Sequence, residues 1–112
     1  MKIQVTEHVI RIVVVAPQER IDAMNAPELR QQLQTLIDDG AVKVVIDLSA
    51  VPFMDSAGMA VLVSALKQAR QAGGDVRLVW PRVEAARRIF NLTRLDRVFV
   101  MAESADRAMV DF

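Results

Sequence analysis

The residues with the clearest chemical potential lie in one short segment, residues 47–58. A buried strand is predicted to end near Asp47, and a helix is predicted to begin at Asp55 or Ser56. Open α/β sheets gather their functional groups outside the carboxyl ends of the strands. We therefore expect the Ser56 hydroxyl at that edge, on a helix N-terminus whose free backbone N–H groups and dipole can hold an added phosphate.

Two other roles for Ser56 must be weighed against phosphorylation. Asp55 or Ser56 could simply cap the helix, and a capping hydroxyl can still be reached by a kinase. A nucleophilic serine needs an adjacent base, but His8 is the only histidine and lies in the first predicted hairpin. Met54 also stands where a nucleophile elbow has its first glycine. The sequence therefore predicts no catalytic residue and a protein that is not an enzyme.

Metal and cofactor chemistry has little support in the residue types. Asp22, Asp47 and Asp55 could be taken as a metal cluster or as the acidic site of a response-regulator receiver. A receiver also needs a lysine late in the chain, and none follows Lys67. The chain has no cysteine and neither of the glycine-rich nucleotide-binding patterns. We expect the three aspartates to be turn or cap residues, with no metal site and no cofactor.

Composition narrows the possible partners. Lys plus Arg and Asp plus Glu each number 14, so the net charge is zero. Nucleic-acid binding demands a basic excess, so we expect no direct nucleic-acid partner. The longest apolar run near the start, residues 12–16, is far too short for a membrane span, and the first residues lack a signal-peptide pattern. We expect a cytoplasmic location and no membrane insertion.

The elements that must position residues 47–58 follow from hydrophobic periodicity and from turn residues. Asn25 and Glu28 are spaced as in a capping box at the start of a helix that Gly40 ends. The predicted strands are 3–5, 9–16, 42–48, 76–80 and 98–101, and the other predicted helices are 56–72, 83–90 and 104–110. Alternating strands and helices indicate one α/β domain over residues 1–112, with a mostly parallel sheet and an antiparallel N-terminal edge strand.

Side-chain positions around Ser56 can also be predicted. The helix after Ser56 should bury one apolar stripe. That stripe comprises Met59, Leu62, Val63, Leu66 and Ala69. Met24 and Met54 are the better candidates for an adaptable contact surface near Ser56, because methionine side chains adjust to irregular partners.

Three segments carry a resemblance that spans nearly the whole chain. The segment VIDLSAVPFMDSAGMAVLV, residues 45–63, resembles the signature of the STAS domain, and more specifically that of bacterial anti-sigma-factor antagonists. RIDAMNAPELR, residues 20–30, is similar to the family's first loop and helix, and FNLTRLDRVF, residues 90–99, is similar to its closing segment. The DSAG stretch in its strand–loop–helix setting is the most specific of these features.

The resemblance implies a partner switch centred on Ser56. In that family this serine is phosphorylated by a serine kinase, which is the anti-sigma factor. The unphosphorylated protein binds the kinase and frees the sigma factor, whereas the phosphorylated protein does not bind and awaits a serine phosphatase. The resemblance places Asp22 and Asp55 at the partner-binding surface. Together with the two methionines and the motif residues, the predicted partner-binding residues are Asp22, Met24, Met54, Asp55, Ala57 and Gly58. An alternative is a STAS accessory subunit of a transporter or signalling complex, in which Ser56 is only a helix cap.

Two positions depart from the family pattern. Glu19 stands where many members have glycine, which could alter the partner-binding loop. Arg94 also replaces a glycine of many members, after the third helix, where backbone strain is expected. Ala57 in place of a second serine leaves Ser56 as the one hydroxyl of this motif.

Overall fold

The structure is a computed structural model that describes residues 1–8 and 11–112. The strands are β1 (Ile3–Glu7), β2 (Ile12–Pro17), β3 (Lys43–Asp47), β4 (Asp75–Val79) and β5 (Val100–Ala102). The helices are α1 (Ala26–Asp38), α2 (Ser56–Gln71), α3 (Glu84–Thr93) and α4 (Ala105–Met109), and a short 3-10 turn covers Leu95–Arg97. This order confirms the predicted one. The predicted start of the second strand at Val9 and Ile10 lies outside the described residues.

The strands form one mixed sheet in the order β1-β2-β3-β4-β5. β1 pairs antiparallel with β2, from Ile3 opposite Pro17 to Glu7 opposite Val13, and the remaining pairs are parallel. Parallel neighbours need long crossover connections, which α1, α2 and α3 supply. The predicted fold class, a mostly parallel sheet with an antiparallel edge strand and four helices, is confirmed.

The central strands bury both of their faces, which explains why they are almost continuously apolar. Alternate strand residues point into the larger core with α1, α2 and α3. Those residues are Val13, Val15, Val44, Ile46, Val76 and Leu78. The other alternating set packs with α4 in a smaller cluster. That set comprises Ile12, Val14, Val45 and Val79. The sheet therefore holds the ends of β2 and β3 rigidly between two apolar layers.

The buried stripe of α2 differs from the predicted one at one position. Met59, Leu62, Leu66 and Ala69 are buried as predicted, but Val63 is 40% exposed. The sheet-facing side is completed instead by residues on the other flank of the helix. Those residues are Gly58, Val61 and Ala65. Because a helix has 3.6 residues per turn, either flank can lie beside the central stripe. Packing against the sheet determines which flank is buried.

Arg94 ends α3 in the left-handed region, with φ of 62°, which confirms the expected backbone strain. This conformation costs a residue with a Cβ roughly 1–2 kcal/mol, whereas glycine adopts it freely. We expect Arg94→Gly to raise the free energy of unfolding by about 1 kcal/mol, measured from the midpoint of urea denaturation. Arg97→Gly, the same exchange at a position without positive φ, is the control and should give no stabilisation. An unchanged or lower stability of Arg94→Gly would contradict the strain argument.

Candidate functional site

Two loops meet at the carboxyl end of the sheet because they follow neighbouring parallel strands. The loop after β2 and the loop after β3 are joined by a parallel bridge between Ile21 and Met54. The Ile21 N–H donates to the Phe53 carbonyl at 3.0 Å, and the Asp55 N–H donates to the Ile21 carbonyl at 3.2 Å. We call the exposed and partly exposed residues of this region, residues 22–24, 52, 53, 55 and 56, the Ser56 edge.

Asp55 connects the two loops with a single carboxylate. It is the N-cap of α2, and its Oδ1 accepts from the Ala57 N–H at 2.9 Å and from the Gly58 N–H at 3.1 Å. Its Oδ2 accepts from the Ala23 N–H, in the loop after β2, at 3.0 Å. The carboxylate therefore fixes the start of α2 and the neighbouring loop at the same time.

Ser56 is the first residue of α2, and it is exposed. Of the two residues that could cap α2 according to the sequence, Asp55 is the one that does so. The prediction that free N–H groups of this helix end would hold a phosphate is wrong for Ala57 and Gly58, because Asp55 already occupies both. A phosphate on Ser56 would therefore stand beside a carboxylate at the surface rather than fold back onto these amides.

The Asp22 side chain is less exposed than its sequence position suggests, and a nearby arginine balances its charge. Its Oδ1 accepts from the Met24 N–H at 3.0 Å and, less closely, from the Asn25 N–H at 3.3 Å, which shapes the turn. Its Oδ2 lies 3.0 Å from Nε of the exposed Arg20, and only 19% of the Asp22 side chain is exposed. Asp22 thus builds the loop, and Arg20 balances the negative charge of its carboxylate.

The predicted capping box at the start of α1 is wrong. The Asn25 side chain makes no cap bond; its Oδ1 accepts from the Asp22 N–H, and its Nδ2 donates to the Arg20 carbonyl and to Glu19 Oε1. Glu28 pairs instead with the amino terminus of Met1. The preceding loop folds back over Asn25, so residues of that loop provide the hydrogen-bond partners of the Asn25 side chain.

Glu19 strengthens the same loop. The backbone N–H of Lys2 donates to its carboxylate at 3.2 Å, and the Asn25 amide donates at 3.0 Å. These two hydrogen bonds stabilise the charged form and lower the pKa of the Glu19 carboxyl. Glu19 therefore joins the loop after β2 to the residue before β1 and to the N-cap of α1.

The methionines near Ser56 divide differently from the prediction. Met24 is 87% exposed, as expected, but Met54 is only 1% exposed, so its assignment to the contact surface is wrong. The bridge to Ile21 gives residues 53 and 54 the alternation of a strand, which turns Met54 inward and Phe53 outward. Phe53, half exposed, is the apolar surface residue that sequence reasoning missed. No periodic pattern in the sequence indicates which residues of this loop point inward and which point outward.

Gly58 lies inside the structure rather than at the contact surface. A Cβ at this position would lie 2.9 Å from Ile21 Cγ2, 3.1 Å from Met54 Cε and 3.2 Å from the Ile21 carbonyl oxygen. Its predicted direct contact with a partner is therefore wrong, because Ile21 and Met54 cover the position where a side chain would begin. Ala57 is partly exposed.

The remaining candidate polar residues, Asp47 and His8, belong to no group of metal-ligating side chains in the part of the chain that the structure describes. In residues 1–8 and 11–112, no three Asp, Glu, His or Cys side chains are grouped as metal ligands. Asp47 accepts from the Ser49 N–H at 3.0 Å, as a turn residue does, and His8 is exposed. Among the described helices, none has the length and apolar character that crossing a bilayer requires.

Comparison with known proteins adds a family and named relatives. A family model described as the STAS domain matches residues 2–108. The anti-sigma-B factor antagonist of Bacillus subtilis (strain 168) is 36% identical over 85 residues, which are 75% of this chain and 76% of the relative. The crystal structure of an anti-sigma factor antagonist from Mycobacterium paratuberculosis has 32% sequence identity and a TM-score of 0.86, covering 96% of this chain and 90% of that one.

A more distant structure shares the fold. The Bacillus cell fate determinant SpoIIAA in its phosphorylated form is 21% identical, with a TM-score of 0.71, over 94% of this chain and 95% of that chain. At this identity the likeness concerns the arrangement of strands and helices alone.

Proposed function

This chain belongs to the STAS domain family, and from that membership we propose that it acts as an anti-sigma factor antagonist switched by phosphorylation of Ser56. In the unphosphorylated form it binds an anti-sigma factor that is a serine kinase, and a sigma factor is released. Phosphorylation ends that binding, and a serine phosphatase restores it. The relatives named as anti-sigma factor antagonists support this role.

The observation that carries the proposal is the position of the Ser56 hydroxyl. Ser56 is an exposed residue and the first of α2, while Asp55 performs the capping that a serine could otherwise perform. A hydroxyl with no capping duty can be modified without removing a bond that holds the helix. Two exposed apolar side chains, Met24 and Phe53, belong to the same edge and suit a protein partner.

The chemistry at Ser56 is a phosphoryl transfer from the partner. The kinase would move the γ-phosphoryl group of ATP to the Ser56 oxygen, releasing ADP and the hydroxyl proton. The phosphoserine carries roughly −1.5 to −2 charges at pH 7. Because Asp55 already holds the Ala57 and Gly58 N–H groups, this charge has no amide pair to neutralise it there and faces the partner instead.

A protein of this kind would act in the cytoplasm and bind neither nucleic acid nor membrane. SpoIIAA, which shares the fold, is known in an unphosphorylated and a phosphorylated form. The alternative role as a STAS accessory subunit was linked to Ser56 acting only as a helix cap. Asp55 fills that position, so the geometry favours the switch.

The test is to purify the protein with its partners from its own cells and to measure its intact mass. We expect a population that carries one phosphate, and we expect an ATP-binding kinase to be captured with the protein. Ser56→Ala should lose the phosphate. Ser64→Ala, on the same helix two turns later, is the control and should keep it. A protein that is never phosphorylated and that instead copurifies with a membrane transporter would support the accessory-subunit role.

A further inference from the structure

We propose that Asp55 is a positioning residue for partner binding: its carboxylate holds the exposed Ala23–Met24 turn against the end of α2 that carries Ser56. The inference rests on the proposed function, because it concerns the surface that the kinase would contact. It assigns Asp55 a role behind the contact surface, in place of the direct partner contact expected from the sequence.

The geometry divides the carboxylate between two tasks. Oδ1 accepts both N–H groups of the helix end, and Oδ2 accepts the Ala23 N–H at 3.0 Å. Hydrogen bonds to an ionised acceptor are stronger than those between neutral groups. Ala23 and Asp55 are far apart in the sequence, so this bond links two separate loops.

The hydrogen bond between Ala23 and Asp55 affects the Ser56 edge because Ala23 lies in an exposed turn next to Met24. The Asn25 N–H donates to the Asp22 carbonyl at 3.2 Å, which closes a turn with Ala23 and Met24 at its tip. Met24 is the most exposed large apolar side chain among the described residues. Releasing the Ala23 N–H would remove the bond that joins this tip directly to the start of α2, so that only the bridge at Ile21 would hold Met24 and Ser56 in one surface. Loss of preorganisation lowers affinity without removing any contact residue.

Asp55→Asn separates the two tasks of the side chain. Asparagine caps helices about as well as aspartate, so its oxygen can keep the Ala57 and Gly58 bonds. The amide nitrogen of asparagine can only donate a hydrogen bond. The Ala23 N–H that faces it would therefore have no acceptor. We expect faster hydrogen exchange at the Ala23 amide by about tenfold, with the α2 amides unchanged. We also expect about tenfold weaker binding to the kinase captured with the wild-type protein.

Ala23→Pro removes the same hydrogen bond from the other side and leaves the Asp55 charge in place. Ala23 occupies the second position of the turn, which proline favours, and proline has no N–H to donate. We expect Ala23→Pro to weaken kinase binding by about the same factor as Asp55→Asn. The double variant should lose little more than either single variant, because both changes remove one interaction.

The outcomes separate this inference from the proposed function. Normal binding by Ala23→Pro with weakened binding by Asp55→Asn would show that the Asp55 charge contacts the partner directly, which overturns the positioning role. Unchanged Ala23 exchange in Asp55→Asn would overturn it as well, whatever the binding result. In both cases phosphorylation at Ser56 could still control the kinase. If the wild-type protein captures no kinase and carries no phosphate, the proposed function itself is wrong.

Discussion

Phosphorylation of Ser56 should weaken binding of the partner kinase by about a hundredfold, which corresponds to about 3 kcal/mol. The cause is local. The phosphate adds roughly −1.5 to −2 charges at an edge that already carries the Asp55 carboxylate. A partner surface that fits Met24, Phe53 and a neutral hydroxyl must then desolvate this charge or bring like charges close to it. Both effects cost several kcal/mol across an interface.

The dissociation constants of the two forms can be compared by calorimetry with the purified kinase in the absence of ATP. Ser56→Ala should bind about as tightly as the unphosphorylated wild-type protein, because the hydroxyl makes no capping bond that alanine would lose. The penalty should shrink as salt is added, because the Ser56 edge is exposed and charges at a surface are screened. Equal affinity of the phosphorylated and unphosphorylated proteins would exclude the switch.

Amide hydrogen exchange distinguishes this local cost from a refolding of the domain. Exchange should change only at the Ser56 edge, because β2 and β3 are packed on both faces by apolar layers. A change in protection throughout the sheet on phosphorylation would contradict the electrostatic explanation and would point to a global rearrangement.

Gly58→Ala should lower the free energy of unfolding by about 1–2 kcal/mol, although alanine is the better helix former. The added Cβ would lie 2.9 Å from Cγ2 of Ile21, a fully buried residue that packing holds in place. Relief would require Ile21 to move, and Ile21 carries both bridge hydrogen bonds between the loops. Urea denaturation measures the stability loss, and a stabilised Gly58→Ala protein would disprove the close-packing argument.

A double-mutant cycle tests whether Cγ2 of Ile21 causes the loss of stability in Gly58→Ala. Ile21→Ala removes Cγ2 and leaves space for the new methyl group, so Gly58→Ala should cost less in that background by about 1 kcal/mol. Ala60→Gly, at an exposed position on the same helix, controls for helix propensity alone and should cost about 1 kcal/mol with no coupling to Ile21. Additive effects of Gly58→Ala and Ile21→Ala would place the strain elsewhere.

The sequence by itself determined the order of the elements, the sheet class and the position of Ser56 at the start of α2. These features depend on local signals. Period-two and period-3.6 patterns specify strands and helices, and Gly40 ends a helix because it adopts positive φ, which other residues avoid. The strain at Arg94 was expected from the resemblance rather than from a local pattern, because many members of the family have glycine there, and Arg94 ends α3 with φ of 62°.

Only the tertiary structure decided which side chains form the Ser56 edge. Met54 is buried instead of exposed, and Phe53 lies at the surface in its place, because pairing with Ile21, a residue distant in sequence, set the alternation of the loop. Asp55 rather than Ser56 became the cap, and its second oxygen reached Ala23 only because β2 and β3 are neighbours. Hydrogen bonds and packing between separate segments depend on how the strands are arranged, and local sequence patterns do not encode those distances.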